Sequence, residues 1–415
     1  MRHAIRLLTA AFSKRVFHME PRMYIHMEPR MYIRGFFPTV FTFLVAAGFG
    51  SSRSATAVTY YFSPDGHDTA DGKSPEHAWK SLGQVWGAKL KAGDEVLLQR
   101  GGVWHEDLTI PADGEAGHPI VISAYGKGDR PCIDGADPIK GSKFEPTGIA
   151  DVFVVSIDHK PAGVFAGRNA SLDEANAQAD LNSRAGTFWW DAGKLYVHPD
   201  HPQSPESMAL EIPVREFCVE VSRSNVALRS LSIRHAGRTD RGALTVWADH
   251  PLKGIELSDC DISCNCGRGA WSCGPEGQSI QDVLIKANTF QDNAGSGLSI
   301  ILGDRGEVSG NTFNRNCRRA LEPWQAGIRL WSAGVRNLKI ADNTISDQRW
   351  MHDHDSAIGI HCDETGGHIV IAGNKIKHLD HAGIEVENTR GVLLEKNTIE
   401  DCNIGIFINR AGHDH

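Results

Sequence analysis

VLIKANTF (283–290), GEVSGNTF (306–313), LKIADNTI (338–345), IVIAGNKI (369–376) and VLLEKNTI (392–399) are five versions of one pattern. Each alternates apolar with polar or small residues, reaches an asparagine, and resumes with a short apolar step. The asparagines, Asn288, Asn311, Asn343, Asn374 and Asn397, lie 23, 32, 31 and 23 residues apart. Two degenerate copies set Leu231 and Cys260 at the same position. A second short strand follows the copies: GALTVWA, SGLSIIL, AGIRLW, SAIGIH, AGIEVE and IGIFIN. Alternation at period two is the mark of a strand with one buried face. The pattern therefore predicts a coil of three short strands per turn, with asparagine stacked on asparagine at a tight bend. Leucine-rich repeats also reuse an asparagine, but their period is steadier and Leu dominates. Here Ile, Val and Thr dominate, and the variable period suits an all-β fold, a right-handed parallel β-helix with loops of unequal length.

Outward from the repeat, the chain divides into a leader (1–57), a cap with the first coils (58–139), an inserted irregular segment (140–212) and the repeats proper (213–415). TYYFS (59–63) reads as a strand. The spacing of Trp79, Leu82, Trp86 and Leu90 predicts an amphipathic helix, and together they would cap the open end of the coil. EVLLQ, GVWHEDLTI, PIVISAY and PCIDG read as further strands, and FWWDAGKLYVHPD within the insertion as a hairpin. The sequence ends at His415 straight after a coil, which reads as an incomplete end.

Arg30 and Arg34 precede an apolar stretch from Phe36 to Gly50 and then Ala55-Thr56-Ala57, the order of a secretory signal cleaved after Ala57. The apolar run is shorter than the ~20 residues a membrane span needs, and Pro38 interrupts it; an uncleaved anchor is the alternative reading. The mature protein is expected to begin at Val58 as a secreted, periplasmic or cell-surface monomer. Ahead of the signal the octapeptide HMEPRMYI occurs twice in succession, from His18 and from His26. Of 415 residues 41% are hydrophobic, enough for a sizeable core, and a formal charge of −8 without a long basic run argues against nucleic acid as partner. The nine cysteines leave at least one thiol unpaired. Cys260, Cys264, Cys266 and Cys273 lack the paired CxxC spacing of a zinc site and read chiefly as apolar filling.

The YYFSPDG opening, the GDEVLLQRGGVW and PIVISAYG segments and the NTF-type coils resemble the pectate-lyase-like superfamily of right-handed parallel β-helices. That resemblance implies that the asparagine marks the bend between the second and third sheets, and that ligands lie along the first sheet. The first sheet is then built from the GIxL strands. Outward positions on it are Ser299/Ile301, Arg329/Trp331, Gly359/His361, Glu385/Glu387 and Phe407/Asn409, with Asp363 just beyond His361. Neighbouring rungs lie ~4.8 Å apart. The patch of Arg329, Trp331, His361, Asp363, Glu385 and Glu387 suits a sugar; a solvated sheet face is the plainer alternative.

Ten arginines follow residue 260, and all ten map to the first sheet or the loops beside it: 268, 305, 315, 318, 319, 329, 336, 349, 390 and 410. Lys286, Lys339, Lys375, Lys377 and Lys396 map to the other two sheets. Guanidinium forks match carboxylate or sulfate, so the partition points to an acidic polysaccharide; pairing with Asp304, Glu322, Asp347 and Asp353 is the competing account. His352, His354, His361, His368, His378 and His381 read mainly as loop solvation. Trp324, Trp331 and Trp350 suit sugar stacking or the covering of apolar edges.

Three functions follow. A polysaccharide lyase would eliminate across a uronate with His361 or Arg329 as base, Arg410 and Glu385 assisting, and Trp331, Trp324, Arg318, Arg319 and Arg390 binding substrate. Asp363, Glu385 and Glu387 are oxygen donors of the kind Ca²⁺ takes. The Glu-x-Glu pair is similar to the Ca²⁺-binding pair of the chondroitinase B and alginate lyase family, although that family's Lys is here replaced by Arg390 as the nearest basic residue. A glycoside hydrolase would use Glu385 with Glu387 or Asp363. A non-catalytic glycan-binding or adhesion coil would use the same face without chemistry.

Overall fold

The structure, a computed structural model, describes residues 56–139, 144–167, 171–200, 209–237, 241–319, 324–348 and 357–409. It also describes the backbone of 17–18 and 23–24, which pairs antiparallel with the last coil. The signal segment, Glu322, Arg349, Trp350, the His352–Asp355 run and Arg410 lie outside the described residues.

Strands that precede the asparagines, from Leu252–Ser258 through Ile280–Lys286, Gly303–Ser309, Val335–Ala341 and Ile369–Ala372 to Val392–Glu395, stack in parallel as the second sheet. Those that follow (Asp261–Ser263, Thr289–Gln291, Thr312–Asn314 and Thr344–Ser346) form the third. Gly242–Trp247, Arg268–Cys273, Leu298–Ile300, Ala326–Trp331 and Ile358–Asp363 form the first. In the last two coils the third and first sheets merge into the continuous strands Lys375–Glu387 and Thr398–Asn409. Thr59–Phe62, Glu95–Gln99 and Ile120–Tyr125 carry the second sheet back to the cap.

The asparagine ladder holds the second-to-third bend. Asn311 Oδ1 accepts from the Asn288 backbone N–H at 2.8 Å and from Asn288 Nδ2 at 3.0 Å, while Asn288 Nδ2 also donates to Leu257 O at 2.9 Å. The arrangement repeats from Asn311 to Asn343, Asn374 and Asn397, and Cys260 N–H opens the ladder by donating to Asn288 Oδ1. All five asparagines are buried, so each bond closes a polar group that water cannot reach. The residue before each asparagine sits in left-handed backbone, with φ of 56° at Ala287, 55° at Asp342 and 55° at Lys396. For a non-glycine residue that conformation costs roughly 1–2 kcal/mol, which the ladder's bonds offset.

A second ladder, absent from the sequence reading, turns the third sheet into the first. Asn265, Asn293 and Asn316 stack with Nδ2-to-Oδ1 bonds of 2.8 Å, and Gln348 Oε1 accepts from Asn316 N–H at 3.0 Å. Its members stand five residues after Cys260, Asn288, Asn311 and Asn343, a constant offset that was readable once the first ladder was in register. Just beyond this bend, a Cβ placed on Gly327 would come within 2.9 Å of Ile345 Cγ2, so glycine is required for the close approach. Inside, Phe290 stacks on Phe313 at 4.7 Å, continuing a column through Ile345, Ile376 and Ile399.

Two expectations change. The cap helix is a single turn, Gln84–Gly87; Trp79, Leu82 and Leu90 are buried, but Trp86 is 59% exposed. Gly83 and Gly87 bracket the turn, and Lys89 takes φ 51°, so no longer helix can propagate. The segment read as irregular is an eight-stranded, mostly antiparallel sheet running from Ala136–Pro138 to Leu210–Pro213, with its own core around Phe188, Leu195 and Val197. Its hairpin is Thr187–Asp191 with Lys194–His198. Seven of the nine cysteines are buried; burial pushes Cys260 and Cys362 up to about 12, as inert packing groups require.

Replacing Asn343 with Leu should cost roughly 2–5 kcal/mol, because it orphans the Asn311 N–H and removes the bonds its amide makes with Asn311 Nδ2 and the Val308 carbonyl. Urea unfolding of the variant checks this; an unchanged midpoint would remove the ladder from its structural role.

Candidate functional site

Register decides what meets on the first sheet. Arg329 pairs with His361 and His361 with Glu385, while Trp331 pairs with Asp363 and Asp363 with Glu387. The sequence reading set Gly359 and His361 as the outward pair on this rung. The structure moves the pair by two residues to His361 and Asp363, because Ile360 and Cys362 are the residues facing inward. Asp363 thus stands beside Glu387 in one column rather than beyond the patch.

His361 is wholly enclosed, Glu385 is 2% exposed and Arg329 7%. His361 Nε2 lies 3.5 Å from Glu387 Oε2, and His381 Nδ1 lies 3.4 Å from Glu385 Oε2. Donor atoms of His361, Glu385 and Glu387 fall within 4.8 Å of one another. Burial pushes the His361 imidazole down to about 4, helped by the Arg329 charge, although Glu385 and Asp363 oppose it. At neutral pH it is uncharged. Burial holds the Asp363 carboxyl above the usual carboxylate range, and the negative charges of Glu364 and Glu387 add to this against a hydrogen bond from Asn388. Glu387 Oε1 accepts from Asn409 Nδ2 at 2.9 Å.

His361 and His381 are therefore strand residues of the patch, not loop residues. His381, Asn388 and Asn409 were not singled out by the sequence as part of the site; their place follows from the merging of the third and first sheets. Arg329 lies over the Trp331 ring at 5.2 Å. Trp324 is half exposed, with φ 55°. Arg390 is exposed in the turn after Glu387.

The arginine partition does not hold. Arg305 and Arg336 lie on second-sheet strands, where they pair with Asp282 and Asp304; Arg315 lies at the third-to-first bend on Asp292. Arg318 and Arg319 bind the inserted sheet: Arg318 to Ser171 and Asp173, Arg319 to the Ala162 carbonyl. They line a cleft of about 320 Å³ between that sheet and the coil rather than the face of the first sheet. Pairing with acids was the other account of these residues, and it accounts for Arg305, Arg315, Arg318 and Arg336.

Calcium fits this donor set poorly. Ca²⁺ takes six to eight oxygens with waters among them. Here the donor atoms that converge are one imidazole nitrogen and two carboxylate oxygens, from His361, Glu385 and Glu387, with the His381 imidazole closing in on Glu385 as well.

Residues 219–345 and 325–414 match the family model described as the right-handed beta helix region. No curated protein sequence matches the chain. Among solved structures, XylC in complex with xylose superposes with a TM-score of 0.56 at 14% identity, over 81% of this chain and 66% of that one. A structure named glycoside hydrolase gives 0.54 at 12% identity, over 86% of this chain and 97% of that one. An alginate lyase from Paenibacillus sp. gives 0.39 at 10% identity, over 80% and 95%. Identities this low speak to fold alone, and the fold neighbours comprise both glycoside hydrolases and polysaccharide lyases. With its three stacked parallel sheets and its asparagine-bonded bends, the chain folds as a right-handed parallel β-helix.

Proposed function

We propose that the protein is an exported glycoside hydrolase working at the carboxylate-bearing rungs of the first sheet, with Asp363 as general acid and Glu387 as nucleophile. The observation that carries the reading is the pairing of Asp363 with Glu387 on adjacent rungs, the Asp363 carboxyl being held above its ordinary range. Two carboxyls whose environments separate their proton affinities are what glycoside cleavage needs: one to give a proton, one to stay ionised. Asp363 protonates the glycosidic oxygen as the bond to C1 breaks, and Glu387 closes on C1. Water, deprotonated by the Asp363 carboxylate, then releases the sugar. A rung spacing of ~4.8 Å is close to the ~5–5.5 Å separation of retaining enzymes, so retention of configuration is expected. Asn409 orients Glu387 through its Nδ2 hydrogen bond to Oε1. Among the fold neighbours, those with TM-scores above 0.5 carry the names glycoside hydrolase and XylC with xylose, in keeping with this reading. Elimination from a uronate is less well supported, since His361 and Arg329, its two candidate bases, are buried.

The purified protein should release new reducing ends from a susceptible glycan without the ultraviolet absorbance of an unsaturated uronide, and chelator should not stop it. Unsaturated products lost on chelation would replace hydrolysis with metal-assisted elimination. Glu387→Gln and Asp363→Asn should each lower kcat by about 10²–10⁴-fold. Only Asp363→Asn should recover on aryl glycosides whose leaving group needs no proton; equal losses on all substrates would displace Asp363 as the acid. In the wild type, kcat/KM should fall as pH rises through the Asp363 value, above the ordinary carboxylate range, and Asp363→Asn should lose that limb.

His361 also sets a stability slope. Its value falls from ~6.5 in the unfolded chain to about 4 in the folded one, so its contribution is complete above ~6.5 and lost as pH drops toward 4. The loss is on the order of 3 kcal/mol. Melting temperatures between pH 7 and 4 should show a shallower slope for His361→Gln than for wild type.

A further inference from the structure

Three guanidinium-on-indole contacts occur among the described residues, and all three lie on the first sheet. Arg241 covers Trp247 at 4.7 Å, Arg268 covers Trp271 at 5.7 Å and Arg329 covers Trp331 at 5.2 Å. Pairing runs Thr109, Glu220, Thr245, Trp271, Ser299, Arg329, His361 and Glu385 into a single column on the outer side of the sheet, in which Thr245, Ser299, Arg329, His361 and Glu385 are buried and Trp271 is partly exposed. Trp247, Trp331, Asp363 and Glu387 belong to the column two residues further along the strands. The three indoles therefore share the face of the carboxylate pair. Trp247 and Trp271 are partly exposed with ring centroids 6.1 Å apart, and Trp331 is 39% exposed. They are not needed to close the core, because Leu244, Val246, Ala270, Leu298 and Ile300 fill the inward positions of the same strands. At the head of the column, Thr109 borders a hollow of about 300 Å³ with the exposed Trp86 at its edge.

The charges along this track are already engaged. Arg241 Nη1 donates to Glu220 Oε2 at 3.0 Å, so those two charges offset one another, and Arg329 and Glu385 are both buried. Asp363 and Glu387 add two carboxyls where the track ends, of which Glu387 is the one that stays ionised. A polyanion laid here would meet the Glu387 carboxylate at its reacting end, with Arg241 already paired and Arg329 buried, and like charges brought face to face cost affinity. Flat aromatic faces, in contrast, match the apolar C–H faces of sugar rings and need no charge on the ligand. From the Trp247 rung to the Glu387 rung is five steps, about 24 Å at ~4.8 Å per rung, longer than a disaccharide.

We infer that the first sheet from Trp247 to Trp331 is a binding track for an extended, uncharged glycan, whose sugar faces stack on Trp247, Trp271 and Trp331 and whose end is delivered to Asp363 and Glu387. The delivery step rests on the hydrolase reading; the binding does not. Calorimetric titration of the Glu387→Gln protein separates the two. Xylohexaose or cellohexaose should bind at least about tenfold more tightly than the matching disaccharide and than hexagalacturonate at equal ionic strength. Trp271→Ala should lower hexasaccharide affinity by about tenfold, with Trp271→Phe recovering much of it and the melting temperature reporting that both fold. Hexagalacturonate binding as tightly as the neutral hexamers, or affinity indifferent to Trp271→Ala in a folded protein, would overturn the track. Hexasaccharide binding by a wild type that cleaves no glycoside would sink the hydrolase reading and leave the track standing.

Discussion

Each coil before the last two turns three corners, and a corner exposes backbone groups that no neighbouring strand on the same sheet can satisfy. The asparagine side chain solves this at the second-to-third corner by acting as a surrogate peptide. Its Oδ1 accepts the N–H and Nδ2 of the asparagine one coil before, and its Nδ2 donates to a carbonyl of an earlier coil. Without it a buried bend would hold orphaned donors at each turn, at a cost comparable to the net stability of a small domain. The inward stacks of Ile, Leu, Val and Phe supply the bulk of the burial, but they do not by themselves specify where the chain bends.

The same corners determine the chemistry. A strand two residues out of step would keep its inward parity and still pack, so hydrophobic alternation cannot distinguish Gly359/His361 from His361/Asp363 as the outward pair. The ladders and the glycine corner remove that ambiguity: Gly359, like Gly327 and Gly383, belongs to the bend, where an added Cβ would strike the next coil's backbone or an aliphatic side chain. Asp363 is consequently level with Glu387, and the patch becomes a pair of carboxyls in unlike surroundings rather than a scatter of acids on a sheet.

Charge along the chain is a weaker guide than position in the coil. Arginines that looked like a groove lining prove to be fasteners: to Asp282, Asp292 and Asp304 between coils, and to the inserted sheet at Arg318 and Arg319. The guanidinium fork that recognises a substrate carboxylate recognises an aspartate one coil away equally well, and the aspartate is always present. The arginines that do lie on the first sheet each lie over an indole, so that face presents aromatic rings together with charge.

Legibility followed the range of the interaction. The strand alternation, the first asparagine ladder and the coil of three sheets were readable because each depends on residues within one repeat or on a recurrence at the same place in successive repeats. Arg329, His361, Glu385 and Glu387 were gathered on one face for the same reason. The cap helix failed because Gly83, Gly87 and the left-handed Lys89 override a helical spacing of apolar residues. The partnership of Asp363 with Glu387, the entry of His381 into the site and the loss of the arginine groove were decided only in three dimensions. They depend on the level at which one coil stacks on the next, and that level is set by backbone bends and buried amides whose positions no period of hydrophobicity records.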